Sequence, residues 1–178
     1  MAFPGYSAPT AFVIDAGVLL VGSTVIGSTL GGIKFDDGKV YRHVEFDGKT
    51  TDIAGLHRIT EYNATLSGQL LDLTDAAISR YNPGSTSDGS ANNLFTMKPA
   101  REFLVTGDYL TNVKFVGQQS DGSNETFVIT FPRALVEKVS FKTNDKNEGL
   151  IDIVIKAVLD IGATDLELAP FTITKAAS

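Results

Sequence analysis

Regular alternation of side chains over residues 59–70 constrains the fold of this chain more than any other feature. Polar side chains occupy every second position: Glu61, Asn63, Thr65, Ser67 and Gln69. The intervening positions hold Tyr62, Ala64, Leu66, Gly68 and Leu70. A period of two predicts a β-strand with one solvated and one packed face. One unbroken strand of this extent would be about 40 Å long, and its small polar face, with a single charge, indicates a lining more than an ordinary outer surface.

Residues 150–161 repeat this pattern near the end of the chain. One face would hold Ile151, Ile153, Ile155, Ala157, Leu159 and Ile161, and the other Asp152, Val154, Lys156, Val158 and Asp160. This predicts a second long amphipathic strand.

The rest of the sequence also favours short strands and turns. Strands are predicted at 33–36, 39–46, 101–106, 112–119, 125–131, 136–143 and 166–174, the last broken by a proline that suits an edge position. The first two flank Asp37-Gly38, a pair that favours a tight hairpin turn. A short helix is predicted at 74–81. We therefore expect one mainly β domain over residues 1–178, an antiparallel sandwich or barrel, with an extended arm at 1–12 and a mobile loop at 83–98.

Composition excludes several classes of function. The chain has no cysteine, so disulfides are impossible, and its formal net charge of −6 argues against general affinity for nucleic acid or anionic membranes. No apolar run approaches the roughly 20 residues of a membrane span, and the N-terminus lacks the pattern of a secretory signal. We expect a protein that folds in the cytoplasm without contacting a membrane.

No motif predicts catalysis, a cofactor or a metal. His43 and His57 are the only histidines, and neither lies in a recognisable catalytic or zinc-binding context. Gly48-Lys49-Thr50 resembles the end of a phosphate-binding loop, but the required earlier glycine is replaced by His43. The sequence thus predicts a protein that is not an enzyme.

The order of features along the chain resembles the major tail tube protein of long-tailed, siphovirus-like bacteriophages. The segments that carry this resemblance are the N-terminal arm, Gly31-Gly32 in an early strand, residues 44–48, residues 59–70, the short helix, Phe131-Pro132-Arg133-Ala134, and residues 150–161 followed by Ala169-Pro170-Phe171.

This resemblance implies a β-sandwich-like subunit that closes into hexameric rings. Stacked rings would form a tail tube whose long strands build an inner barrel. The tube would enclose the tape measure protein, meet tail tip and tail terminator proteins, and conduct DNA without binding it. The protein would be made in the host cytoplasm and reside in the virion tail.

The resemblance also assigns roles to residues. The lumen would be lined, with neutral-to-acidic character, by Glu61, Asn63, Thr65, Ser67, Gln69, Asp152, Lys156 and Asp160. Subunit or ring contacts would involve Phe3, Tyr6, Phe12, Lys49, Thr50, Thr51 and Asp52.

Two alternatives remain open from sequence. One is a monomeric β-sandwich module that decorates a virion or binds carbohydrate, although the chain has no Trp and only five Tyr for stacking on sugars. The other is the tube protein of a contractile injection system.

Overall fold

The computed structural model describes residues 14–26, 29–43, 55–70, 81–89, 95–119, 126–144, 147–159 and 168–176. Strands dominate these residues, as the sequence predicts, and every strand pairing is antiparallel. The strands are β1 (Ile14–Val21), β2 (Thr24–Val25), β3 (Thr29–Asp36), β4 (Lys39–His43), β5 (His57–Tyr62), β6 (Thr65–Leu70), β7 (Thr86–Ser87), β8 (Phe95–Thr96), β9 (Leu110–Gln119), β10 (Thr126–Asn144), β11 (Asn147–Ala157) and β12 (Thr172–Ala176).

The main sheet has the strand order β2-β1-β9-β10-β11-β6-β3, and β12 also pairs with β10. Although β1 and β3 lie far apart in this order, some of their Cα atoms come within 8 Å of each other, so the sheet curves back on itself. The curved sheet covers one hydrophobic core, whose largest fully buried side chains are Tyr81, Phe131, Leu19, Ile26, Leu66, Leu70, Ile129, Ile153, Ile155 and Val113.

A cluster of aromatic rings stabilises the curved sheet. The Phe171 ring lies 5.3 Å from Phe35 of β3, 6.4 Å from Phe131 of β10 and 5.8 Å from Tyr62 of β5, measured between centroids. The two contacts with Phe35 and Tyr62 are edge-to-face, the arrangement that aromatic quadrupoles favour. The cluster therefore holds strands that are not neighbours in the sheet against one another.

Strand β10 replaces the two strands predicted at 125–131 and 136–143. It runs through Pro132, which has no paired residue in any described strand. On one edge β12 pairs with residues 126–130 and β11 takes over from Ala134, so the proline lies where the partner changes. Because proline lacks an N–H, this is a position that tolerates it. The predicted break is thus a change of partner within one strand.

The opposite edge of β10 is only partly paired. Strand β9 covers it from Thr126 to Ala134. From residue 135 to residue 144, none of the described strands lies on this edge. These residues form what we call the open edge of β10.

Residues 59–70 form two strands, which corrects the prediction of one. Strand β6 lies in the main sheet between β11 and β3, whereas β5 pairs with β4 in a separate two-stranded sheet. The hairpin predicted at Asp37-Gly38 is also wrong, because β3 pairs with β6 and β4 with β5. Asp36 pairs with Thr65 and Lys39 with Tyr62, so the register continues across the junction. We call β4 and β5 the distal ribbon.

Gly38 makes this junction possible. Its φ of 54° is in the left-handed region, and its carbonyl oxygen accepts a hydrogen bond of 3.0 Å from the Asn63 N–H. A Cβ at residue 38 would lie 2.3 Å from the Asn63 carbonyl oxygen. Only glycine fits so close to the facing backbone without a shift.

We therefore expect Gly38→Val to lower the free energy of unfolding by at least about 2 kcal/mol, since it combines positive-φ strain with a backbone clash. Gly89→Val is the matched control, because Gly89 has a φ of 65° but a Cβ added there would meet no atom within 4 Å. Urea unfolding of both variants separates the clash from the strain. An equal loss of unfolding free energy in the two variants would show that the close approach of residue 38 to Asn63 does not affect stability.

Other predicted elements differ from the structure in detail. Residues 101–106 contain no strand; Arg101 has a φ of 76°, and Thr106–Asp108 form a 3-10 turn. Within the loop predicted at 83–98, β7 and β8 pair as a small hairpin. Strand β11 begins at Asn147 and ends at Ala157, and Leu159 beyond it is exposed. Of the predicted helix 74–81, only Tyr81 is among the described residues, and it is helical and buried.

An ion pair holds the segment between β8 and β9. Lys98 Nζ lies 2.9 Å from Asp108 Oδ2, which also accepts a 2.7 Å hydrogen bond from the Val105 N–H. Both side chains are mostly covered. The hydrogen bond from Lys98, followed by that from the Val105 N–H, lowers the pKa of the Asp108 carboxyl below its ordinary value of 3.8.

A lowered pKa contributes stability that is present above the unfolded-state pKa and is lost as pH falls through the folded-state value. We therefore expect Asp108→Asn to be less stable than wild type at neutral pH, by a difference that shrinks below pH 3.8. Urea unfolding of both proteins from neutral to acid pH measures this difference. A difference that does not change with pH would exclude the carboxylate as its source.

Candidate functional site: a polar sheet face and an exposed ribbon

The structure pairs the two amphipathic stretches directly. Strands β6 and β11 are neighbours, with Gln69 opposite Asp152, Ser67 opposite Val154 and Thr65 opposite Lys156. The alternate positions Leu66, Leu70, Ile151, Ile153 and Ile155 are all buried. The predicted packed face is confirmed for both strands, and the positions on the opposite face are half-buried.

Strands β3 and β10 extend this solvated surface on either side. Lys34 and Asp36 of β3 pair with Ser67 and Thr65, and Lys138 and Ser140 of β10 pair with Val154 and Asp152. We call the resulting four-stranded surface the polar face. Its members with described side chains at paired positions are the polar residues Lys34, Asp36, Thr65, Ser67, Gln69, Lys138, Ser140, Lys142, Asp152 and Lys156 and the half-buried apolar residues Leu135, Leu150 and Val154.

Hydrogen bonds and ion pairs order part of the polar face. Gln69 Nε2 donates a 2.8 Å hydrogen bond to Asp152 Oδ1 across the β6–β11 pair. Lys34 Nζ lies 3.6 Å from Asp36 Oδ2, with both side chains largely exposed. An exposed pair of this kind adds little stability, so its effect is mainly on local charge.

The charge of the polar face differs from the expected neutral-to-acidic lining. Its described members include four lysines and two aspartates, a balance of 4 − 2 = +2. The predicted lining contained Lys156 as its one cation, whereas β3 and β10 add Lys34, Lys138 and Lys142 to the polar face. Glu61, the only acidic residue of 59–70, lies elsewhere.

Two of the predicted lumen residues lie outside the polar face. Glu61 belongs to β5 of the distal ribbon, and Asn63 lies at the junction, its Nδ2 3.5 Å from Glu61 Oε2. Both are exposed. Asp160 and the predicted contact residues Phe3, Tyr6, Phe12, Lys49, Thr50, Thr51 and Asp52 lie outside the described residues.

The distal ribbon exposes apolar side chains on both strands. Val40, Tyr41 and Ile59 are all exposed, Tyr41 by 58%. Tyr41 and Ile59 are directly opposite each other. A two-stranded sheet is only marginally stable alone in water, so a ribbon with this surface gains from contact with another structure. The ribbon was not predicted from the sequence because side-chain alternation does not show the register that runs from Asp36–Thr65 to Val40–Glu61.

No protein-family model matches the chain, and no curated protein matches it.

Two absences hold for the described part of the chain. It contains no helix that is both long and apolar enough to cross a membrane. Within the same residues, histidine, aspartate and glutamate side chains form no group of three or more placed to hold a metal ion.

Proposed function

We propose that this chain is a structural subunit that assembles with further copies of itself through its sheet edges and distal ribbon. Within that class, the function we propose is that of a major tail tube protein of a siphovirus-like bacteriophage. Hexameric rings would stack into the virion tail tube, enclose the tape measure protein, join tail tip and terminator proteins, and let DNA pass during ejection.

The observation that carries the proposal is the four-stranded polar face with the open edge of β10 at its border. A lining strand needs a solvated face of small polar groups and a packed face, which β6 and β11 provide together. Unpaired strand edges favour pairing with another chain, and closure into a barrel removes them. In a ring, the open edge would pair with a strand of the neighbouring subunit and continue the inner wall.

The distal ribbon supports contacts beyond one ring. Its exposed Tyr41 and Ile59 offer an apolar surface on one side of the ribbon that a ring above or below can cover. Under this proposal the ribbon takes the contact role that was predicted for residues 49–52, which lie between β4 and β5 in the sequence.

The positive balance of the polar face changes what is expected of the lumen. Lys34, Lys138 and Lys142 would attract phosphates, whereas Asp36 and Asp152 oppose that attraction. Interactions between exposed charges are screened by salt. We therefore infer weak, salt-dependent contact with passing DNA in place of the purely non-adhesive lining expected from sequence.

Electron microscopy of the purified protein over a concentration series, with light scattering for mass, tests the proposal. Rings or tubes with a central channel are the expected products, with or without added tail-tip complexes as nuclei. Hydrogen exchange provides a residue-level readout, because amides at 135–144 should gain protection on assembly. A particle that stays monomeric at every concentration and also fails to extend tail-tip complexes would contradict the proposal and favour a decoration module.

A further inference from the structure

The two histidines of the chain meet on the distal ribbon. His43 of β4 and His57 of β5 are directly opposite each other. His43 Nδ1 lies 3.4 Å from His57 Nε2, and the ring centroids are 4.8 Å apart with 65° between the ring planes. His43 is half-buried and His57 exposed.

The nitrogen separation is long for a direct hydrogen bond between the rings. Well-formed hydrogen bonds from N–H groups span about 2.7–3.2 Å between heavy atoms. By contrast, Zn²⁺ binds imidazole nitrogen at about 2.0–2.1 Å in tetrahedral sites, which places two such nitrogens about 3.3–3.4 Å apart. The observed distance matches the separation required of two nitrogens that share one tetrahedral ion.

A shared ion requires a particular orientation of the two rings. A metal lies close to the plane of each imidazole that binds it, along the nitrogen lone pair. The planes are inclined by 65° and the centroids are 4.8 Å apart, so a rotation of the rings about their side-chain bonds is needed to direct both lone pairs at one ion. Either ring nitrogen of a neutral histidine can bind a metal, so the Nδ1 and Nε2 pairing is allowed.

We propose that His43 and His57 chelate a divalent transition-metal ion of the zinc type, with water completing the tetrahedron. Imidazole is a ligand suited to Zn, Cu and Ni. The chelate would link β4 to β5 and stabilise the distal ribbon. This site is an addition to the proposed assembly function and does not depend on it.

The side chains next to the histidines alternate between the two sides of the ribbon. Tyr41 and Ile59 are opposite each other two residues along the strands, on the same side of the ribbon as the histidines. Arg42 and Arg58 form the intervening pair and project to the other side. The guanidinium groups therefore do not occupy the space between the imidazoles.

Titration of the untagged wild-type protein with ZnCl₂, followed by NMR of the imidazole protons, tests the site. The chain has only two histidines, so both signals can be followed separately. We expect them to shift together along one saturable curve that ends at one zinc per chain. Shifts of a single imidazole, two different curves, or no shift in excess zinc would each overturn the proposal.

Variants test whether His43 and His57 bind one zinc ion together. His43→Gln should weaken zinc binding to His57 at least about tenfold, since one imidazole replaces a two-ligand site. Ile59→Val is the matched control on the same face and should retain wild-type affinity. MgCl₂ should not shift either signal, because Mg²⁺ prefers oxygen ligands. Unchanged zinc affinity in His43→Gln would overturn the chelate. The metal-free NMR spectrum of His43→Gln reports whether the ribbon still forms. If the ribbon is lost in this variant, the zinc titration of the two wild-type imidazoles still tests the site.

Discussion

A Phe131→Ala protein is expected to lose about 3–5 kcal/mol of its free energy of unfolding, a large share of what a domain of this size possesses. Phe131 is fully buried, and its ring lies 6.3 Å from that of Phe35 and 6.4 Å from that of Phe171. Truncation removes both ring contacts and leaves a cavity where β3, β10 and the segment before β12 meet. The decrease in the free energy of unfolding should therefore exceed that caused by removing a single buried methylene group.

Chemical unfolding followed by far-ultraviolet circular dichroism measures this loss, since the chain has no tryptophan to report by fluorescence. Phe103→Ala is the matched control: the same substitution at a ring that is 92% exposed. It should change stability by no more than about 0.5 kcal/mol. A similar loss of unfolding free energy in the two variants would show that the aromatic cluster does not stabilise the curved sheet.

A Tyr41→Asp protein is expected to fold as wild type and fail to assemble. Tyr41 is 58% exposed in the single chain, so the change should alter monomer stability by no more than about 0.5 kcal/mol. In an assembled tube the same position would place an unpaired carboxylate in an apolar contact. We expect the concentration needed for assembly to rise at least about tenfold.

Light scattering and electron microscopy of Tyr41→Asp against wild type give the measurement. Val105→Asp is the matched control, because Val105 is 60% exposed and is the N-cap residue of the 3-10 turn before β9, not part of the distal ribbon. It should assemble as wild type does. Normal assembly of Tyr41→Asp would remove the ribbon from the contact surface, while failure of both variants would point to a general effect of added charge.

Side-chain alternation predicted the faces of β6 and β11 correctly. Thr65, Ser67 and Gln69 lie on the polar face, and Leu66 and Leu70 are buried. The prediction succeeded because the pleat of a strand directs alternate side chains to opposite faces whatever the strand pairs with. The same local rule places Asp152 and Lys156 on one face and Ile153 and Ile155 on the other.

Strand ends and partners were predicted less well, and Pro132 and Gly38 show why. A proline reads as a break, but it can lie within a strand where the neighbouring strand changes. Asp37-Gly38 reads as a hairpin turn, but here the glycine accommodates the close approach of Asn63 across a continuing ribbon. Each position satisfies its local preference in a context that distant residues provide.

The charge of the polar face also could not be predicted from residues 59–70 and 150–161 alone. Lys34 and Lys138 join it only because β3 and β10 flank β6 and β11 in the sheet. Nothing near residues 59–70 specifies which strands those will be.

The sequence by itself determined the β class, the alternation of faces and the core positions of β6 and β11, since these depend on residues within one strand. The tertiary structure alone decided that β5 leaves the main sheet, that β10 carries an open edge, and that His43 meets His57. These features depend on pairing between segments distant in sequence, which is selected by the packing of the whole sheet and not by any one stretch.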